Sequence, residues 1–387
     1  MYGGHIVNDY DRLVAKEYLS FLMKDELLDE TEMYPYSNDE EFKSISFISP
    51  APTSFSKYLH HIDAEMTQDT PVAFGLHPNA EIDFRVKECR ILFETLTTLQ
   101  AGSTALNVSI SGEENPATVA GTVASDLLGH LADKGFDMEE IIRSLDEVGP
   151  YQNVFLQEME TLTRVLAEIK RSLQELKQGL RGELTMSESM EQLQLSLCTD
   201  SIPSSWRKCS WESRRSLASF WENLEERLGQ LEEWATNPSD LPRVVHLDLL
   251  VKPESFLTSI CQVEAKRIGK DLDALCTFTE VKKEMEVGDI EEAPRDGAYV
   301  TGLWIEGASM ANAYLQKARR GRNIEKLPIL HIRAIRKTSR RGGIHNVPLY
   351  LTRNRGAGFV GEIQIKTKAP SAKWTLAGLA AILDPTN

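Results

Sequence analysis

Eight apolar residues, Phe155, Met159, Leu162, Leu166, Ile169, Leu173, Leu176 and Leu180, recur at intervals of 4, 3, 4, 3, 4, 3 and 4. A strand cannot use this spacing, because it shows alternate residues to opposite faces; a helix gathers all eight on one narrow seam. The pattern predicts a helix of about 26 residues, roughly 40 Å long at 1.5 Å per residue, ended by Gly179 and Gly182. Thr185 and Glu188 then read as a capping box for the next helix. A second seam follows at Leu217, Trp221, Leu224, Leu228 and Leu231, with Trp234 one turn on. Neither seam exceeds about four heptads, so together they imply a packed helical bundle rather than a free coiled coil. Phe256, Ile260, Val263 and Ile268 predict one more helix, and Trp206, Trp211, Trp221 and Trp234 read as core.

At 387 residues the chain is long enough for two or three domains. Residues 1–147 read as short helices joined by irregular connections. Helices are predicted over Asp9–Lys24, Ala80–Leu99, Val119–Lys134 and Met138–Asp146. The acidic Asp25–Thr53 stretch reads as a long surface loop, and Ala101–Asn115 as a polar, mobile connection. Gly149-Pro150 marks the expected domain boundary, which divides the sequence into 1–147 and 148–387. After Pro294 the period changes to two. Phe359, Gly361, Ile363 and Ile365 are expected to face inward while Glu362, Gln364 and Lys366 face out. Tyr299–Glu306, Ile329–Arg336, Val347–Thr352 and Trp374–Leu383 are further predicted strands. The fold class expected is therefore α+β and mostly α, with helices over 148–293 and a small closed antiparallel β-barrel over 294–387. Phe359→Asp is expected to bury an unpaired charge and unfold that barrel.

The net charge of −15 conceals an asymmetry. Lys317 to Lys373 holds 15 Lys and Arg against Glu325 and Glu362, a net of +13, which leaves −28 on the remainder. These cations read as solvated outer faces of strands, or as a face for an acidic partner within or outside the molecule. No nucleic-acid signature accompanies them. The longest apolar run, near Leu376–Leu383, is too short to span a bilayer, and no basic-then-apolar leader follows Met1. Five scattered cysteines without a C-x-x-C pair suggest reduced, buried thiols of a cytosolic protein.

Catalytic chemistry finds little footing. A phosphate-cradling G-x-x-x-x-G-K-[ST] loop is absent, and the Gly269-Lys270 pair is followed by Asp271. Val244-Val245-His246-Leu247-Asp248 imitates a magnesium-binding strand but reads as a plain buried segment. His60-His61 diverge by about 100° on a helix and have no third ligand. His77, beside Pro78, reads as a turn residue rather than a base. No residue is assigned a catalytic, cofactor-binding or metal-binding role.

Residues 71–82, Pro-Val-Ala-Phe-Gly-Leu-His-Pro-Asn-Ala-Glu-Ile, have a local logic, in which Pro78 fixes a turn and Asn79 caps the following helix. They also resemble the Phe-Gly-Leu-His-Pro-Asn-Ala block near the C-terminal end of dynein heavy chains. Tyr2-Gly3-Gly4-His5, Asp9-Tyr10-Asp11-Arg12, Ile169–Leu176, Gly182–Thr185, Phe256-Leu257-Thr258, Gly297–Val300 and Glu306-Gly307-Ala308 resemble further blocks of that family, in order, along nearly the whole sequence. The Ile169–Leu176 and Gly182–Thr185 blocks look like the ciliary outer-arm subgroup.

The resemblance implies a helical lid of the sixth AAA+ module over 1–147, followed by a C-terminal domain of helices and β-barrel. It implies a non-catalytic, structural and regulatory part of an ATP-driven, minus-end-directed microtubule motor of cilia or flagella. ATP and magnesium would belong to motor modules this sequence lacks. The partners implied are the rest of the AAA+ ring, with light and intermediate chains and microtubules reached through the whole complex, and no nucleic acid or membrane. The location implied is the cytoplasm and cytoskeleton, within the axoneme. A free-standing interaction protein that keeps this fold without motor activity is the alternative. Leu249-Leu250-Val251-Lys252-Pro253 and Ser309-Met310-Ala311 depart from the family pattern, so altered packing between barrel and helices is expected.

Overall fold

The computed structural model describes residues 4–29, 31–35, 46–65, 78–107, 115–337 and 343–386. The His77 turn, the centre of the expected Asp25–Thr53 loop and residues 108–114 therefore lie outside the described residues. The helices are α1 (Asp9–Leu22), α2 (Phe55–Glu65), α3 (Pro78–Asn107), α4 (Pro116–His130), α5 (Met138–Ser144), α6 (Pro150–Leu180), α7 (Glu188–Cys198), α8 (Ser204–Cys209), α9 (Leu217–Thr236), α10 (Pro253–Ile268) and α11 (Ser371–Leu376). A two-residue antiparallel pair, β1 (Tyr34–Pro35) with β2 (Ser46–Phe47), bridges part of the expected loop. The remaining strands are β3 (Val245–His246), β4 (Leu275–Val281), β5 (Ala298–Thr301), β6 (Trp304–Glu306), β7 (Ala308–Ala311), β8 (Tyr314–Lys317), β9 (Ile324–Lys326), β10 (Leu330–Arg336), β11 (Ile344–Thr352), β12 (Phe359–Lys366) and β13 (Ala380–Asp384).

Helix α6 is the spine. Its predicted seam is buried from Phe155 to Leu176, with Leu180 packed at the margin. Each fully buried side chain of this kind contributes about 1.5–3 kcal/mol. The second seam, on α9, meets it: Trp234 stacks on Phe155 with ring centroids 4.9 Å apart, and Phe256 of α10 meets Phe155 edge-on at 6.2 Å. All four core tryptophans are buried as expected, and Trp206 Nε1 donates to Ser172 Oγ at 2.8 Å. Gly182, at φ +76°, ends the spine. The cap of α7 is Ser187, whose hydroxyl accepts from Met190 N, rather than the expected Thr185–Glu188 box. Ala120 and Ala124 of α4, Leu131 just after it and Ile141 of α5 join the same core, so apolar packing continues across Gly149-Pro150.

Helix α3 is longer than expected. Residues 101–107, read as a mobile connection, continue it, because Ala, Ser and Thr do not stop a helix already running. Of the thiols expected to be buried, only Cys261 is; Cys89 and Cys198 are exposed, and Cys209 and Cys276 are half-buried.

Seven strands in the order β7-β8-β12-β11-β13-β6-β9 curl into a nearly closed barrel. A four-stranded sheet, β3-β5-β10-β4, lies beside it, and Thr279 Oγ1 on β4 donates to Gln364 Oε1 on β12 at 3.3 Å. Most pairings are antiparallel, but β11 with β13, β12 with β8 and β3 with β5 run parallel. The single strand expected over Tyr299–Glu306 is split between the two sheets. Gly302 makes the break at φ +82°, where any side chain would run into the Asp248 carboxylate. The strand expected over Trp374–Leu383 is half helix: Trp374 lies in α11 and its Nε1 donates back to Thr367 Oγ1 at 2.7 Å, Gly378 turns the backbone at φ +67°, and only β13 is extended.

The inward phase of β12 is also corrected. A bulge shifts the register between Leu349 and Tyr350, so Val360, Ile363 and Ile365 face the core. Phe359 is turned outward, 42% exposed, against Tyr10 and Tyr350. Ile363→Asp, not Phe359→Asp, should therefore unfold the barrel, costing about 4 kcal/mol or more against about 1 kcal/mol at Phe359. Thermal melts of the two variants check this. His345 on β11 is buried, which holds its imidazole below the ordinary value of 6.5. The unfolded polypeptide then binds the extra proton first, so stability should fall as pH drops from about 7.5 to 5. His345→Gln should flatten that slope in urea titrations.

Candidate functional site

Tyr18 of α1, Asn79 and Asp83 of α3, Glu306 of β6 and Arg353 and Arg355 after β11 converge on a cavity of about 950 Å³ between the N-terminal helices and the barrel. Each side chain reaches it from a fixed element. Asn79, buried in the first turn of α3, donates through Nδ2 to the carbonyls of Arg319 (2.9 Å) and Arg322 (3.0 Å). It also accepts from Gly321 N at 2.9 Å. Asn79 was expected to cap its own helix; instead α3 begins one residue earlier, and the amide ties α3 to the β8–β9 turn. Tyr18 Oη donates to Leu376 O of α11 at 2.8 Å, and burial raises its pKa against the opposing pull of Arg355.

Arg353 is the hub. Its Nη2 donates to Asp83 Oδ1 and to Glu306 Oε1, the latter at 2.7 Å. Arg355 Nη2 donates to Glu306 Oε2 at 2.9 Å and to Gly378 O at 2.8 Å. Lys87 Nζ lies 3.1 Å from Asp83 Oδ2. Side chains of Arg353, Asp83 and Glu306 are only 15–17% exposed. Burial acts against the charge on Arg353, but Glu306 and Asp83 outweigh it and hold the guanidinium above its ordinary value. The arrangement can hold two parts of the protein in one orientation. Among the described residues it brings together no nucleophile, base and orienting group of the kind that catalysis needs.

A second buried charge lies inside the bundle. Arg227 of α9 stacks 4.1 Å from the Trp211 ring, donates to Asn223 Oδ1 and to Asp248 O, and is pushed down by burial to about 10. Glu158 of α6 accepts from Val251 N at 2.7 Å and Lys252 N at 2.8 Å, at the start of α10. Burial raises its carboxyl, against the pull of those N–H groups and Arg227. The departing segment Leu249–Pro253 is thus absorbed: Leu250 is buried, Val251 packs on the core, and the backbone is held by Glu158.

Sequence reading missed Arg353, Glu306, Asp83, Arg227 and Glu158 as a group. Arg227 left a signal, since Asn223, Arg227 and Gln230 form a polar stripe at helical spacing beside the α9 seam. The ion partners of Arg353 lie 270 and 47 residues away and left none. Val244, Val245 and Leu247 are buried, and Gly269, in the left-handed conformation, ends α10. His60 is exposed on α2. Among the described residues no cluster of His, Cys, Asp or Glu could hold a metal ion, and no helix is long and apolar enough to cross a membrane.

Residues 86–383 match the C-terminal domain of dynein heavy chains, and residues 1–80 match the AAA lid domain of dynein heavy chains. The chain belongs to the dynein heavy chain family. It is 38% identical over 391 residues to the dynein beta chain, flagellar outer arm, of Chlamydomonas reinhardtii, and 36% identical over 394 residues to the ciliary dynein beta chain of Tripneustes gratilla. Dynein axonemal heavy chain 11 of Sus scrofa is 34% identical over 394 residues. Each alignment covers 99% of this chain and 8% of the relative. The polar joint therefore sits where the two dynein matches meet: Tyr18 and Asn79 lie in the lid match, Asp83 between the matches, and Glu306, Arg353 and Arg355 in the C-terminal-domain match.

Arg353→Ala should remove the one cation that Asp83 and Glu306 share, leaving Asp83 to Lys87 and Glu306 to Arg355, and cost about 3 kcal/mol. Arg353→Lys should recover only part, because an ammonium lacks the planar fork. Urea denaturation with hydrogen exchange across α3 measures both. Asn79→Ala should strand the Gly321 N–H and cost about 1–2 kcal/mol in the same assay.

Proposed function

We propose that this protein is the C-terminal, non-catalytic part of an axonemal dynein heavy chain, acting as a structural and regulatory brace in an ATP-driven, minus-end-directed microtubule motor of cilia or flagella. The observation that carries this reading is the polar joint, which fixes lid helices to the barrel at the junction of two dynein domain matches. A brace needs one orientation rather than a reacting centre. Buried charge–charge geometry supplies orientation.

In this reading residues 1–147 form the lid side and 148–387 the C-terminal domain, with α4 and α5 packed on α6 to tie the two. ATP and magnesium belong to motor modules elsewhere in a longer heavy chain. The rest of the AAA+ ring is the direct partner, and light chains, intermediate chains and microtubules are reached through the assembled complex. The exposed apolar residues of α3, among them Ile91, Leu92 and Leu96, support a neighbouring module as cover. The site of action is the axoneme, within the cytoplasmic cytoskeleton.

Phosphate release by the purified protein tests the reading. With ATP and magnesium it should not exceed the rate of a buffer blank, with or without polymerised tubulin. Turnover that scales with protein concentration would contradict it.

A further inference from the structure

We propose that a cationic trough running from the joint cavity along β8 and α11 is a docking surface for an extended, glutamate- and aspartate-rich peptide. The joint cavity and a shallower groove of about 420 Å³ share Lys317, Lys373 and Trp374, so they form one continuous depression. Among the described residues the groove end is lined by Lys368 and Lys373 and by no acid. At the cavity end the lining acids among the described residues are Asp83 and Glu306, and both are already engaged by Arg353, Arg355 and Lys87. The trough therefore presents surplus positive charge along its length.

Two of its lysines are set on aromatic rings. Lys368 Nζ lies 5.4 Å from the Tyr314 ring centroid, and Lys373 Nζ 5.6 Å from that of Trp374. A ring face orients an ammonium without neutralising it, so both charges stay available to an incoming carboxylate. Tyr314, Leu376 and Ala377 add apolar surface between the charges, suited to the methylenes of glutamate side chains.

The chemistry favours a peptide over a compact phosphate. Guanidinium forks are the groups that grip phosphate bidentately, and both arginines here are spent on Glu306. The cations offered to a ligand are Lys368 and Lys373, which act as point charges. Cavity and groove together also exceed the roughly 300–1,000 Å³ of a single small-ligand pocket. This inference does not depend on the motor reading, because it concerns one face of the protein by itself.

Fluorescence anisotropy tests it, with the 387-residue protein titrated into a labelled oligoglutamate peptide and an oligoglutamine peptide of equal length as the neutral control. The glutamate peptide should bind, more weakly at higher salt, and the glutamine peptide should not. Lys368→Glu with Lys373→Glu should weaken binding about tenfold or more. Lys368→Gln with Lys373→Gln should fall between, and both residues are exposed, so melting curves should match the parent. Equal binding of the two peptides, or unchanged binding by the reversed variant, would overturn the proposal. Displacement of the peptide by tripolyphosphate at equal or lower concentration would assign the trough to a small anion instead. A salt-sensitive dimer abolished by the same reversal would assign it to a second copy of the protein.

Discussion

The N-terminal helices hold on to this structure through polar contacts. Among the described residues the main apolar core begins at Ala120; α1 buries no residue, and Asn79 is the one buried side chain among those described in α3. Non-directional apolar burial therefore does little to set where α3 sits. Arg353 does so instead, because taking a guanidinium out of water is costly unless carboxylates meet it in good geometry. Asp83 from one side and Glu306 from the other provide that geometry in a single arrangement. Asn79 and Tyr18 add directional hydrogen bonds at either flank. Any movement of α3 across the barrel must break several of these together.

The rest of the molecule divides its forces differently. In the bundle, α6 and α9 bury continuous apolar seams, while buried Glu158 holds the backbone at the start of α10 and buried Arg227 holds the Asp248 carbonyl just before it. In the barrel, β12 packs Ile363 and Ile365 inward, and Gly361 lets Leu257 of α10 approach closely. Helices α4 to α10 and the barrel thus share one core, while α1 and α3 are attached through polar and charged contacts.

The seams were readable because a helix's period is local: every residue from Phe155 to Leu176 reports the same face. The ordered family blocks were readable for the same reason, being short runs of adjacent residues. What escaped depends on distant partners or on backbone irregularity. Asn79 looked like a cap because its partners at 319–322 are invisible from residues 78–82. Phe359 was assigned inward because a strict alternation cannot show the bulge at Leu349–Tyr350 that shifts the phase. Gly302 sat inside a plausible strand, and only the Asp248 carboxylate beside it reveals the break. The cations between Lys317 and Lys373 looked like one solvated population, yet they split into Arg353, withdrawn into a buried network, and exposed lysines along a trough.

Distance measurement between α3 and the bundle tests the central claim most directly. Cys89 on α3 and Cys198 on α7 are both exposed and accept spin labels, with the other three cysteines replaced by alanine. Pulsed electron resonance should give one narrow distance distribution for the parent and a broad or shifted one for Arg353→Ala. A broad distribution in the parent, or a narrow one unmoved by the substitution, would contradict the view that buried charge fixes the lid on the barrel.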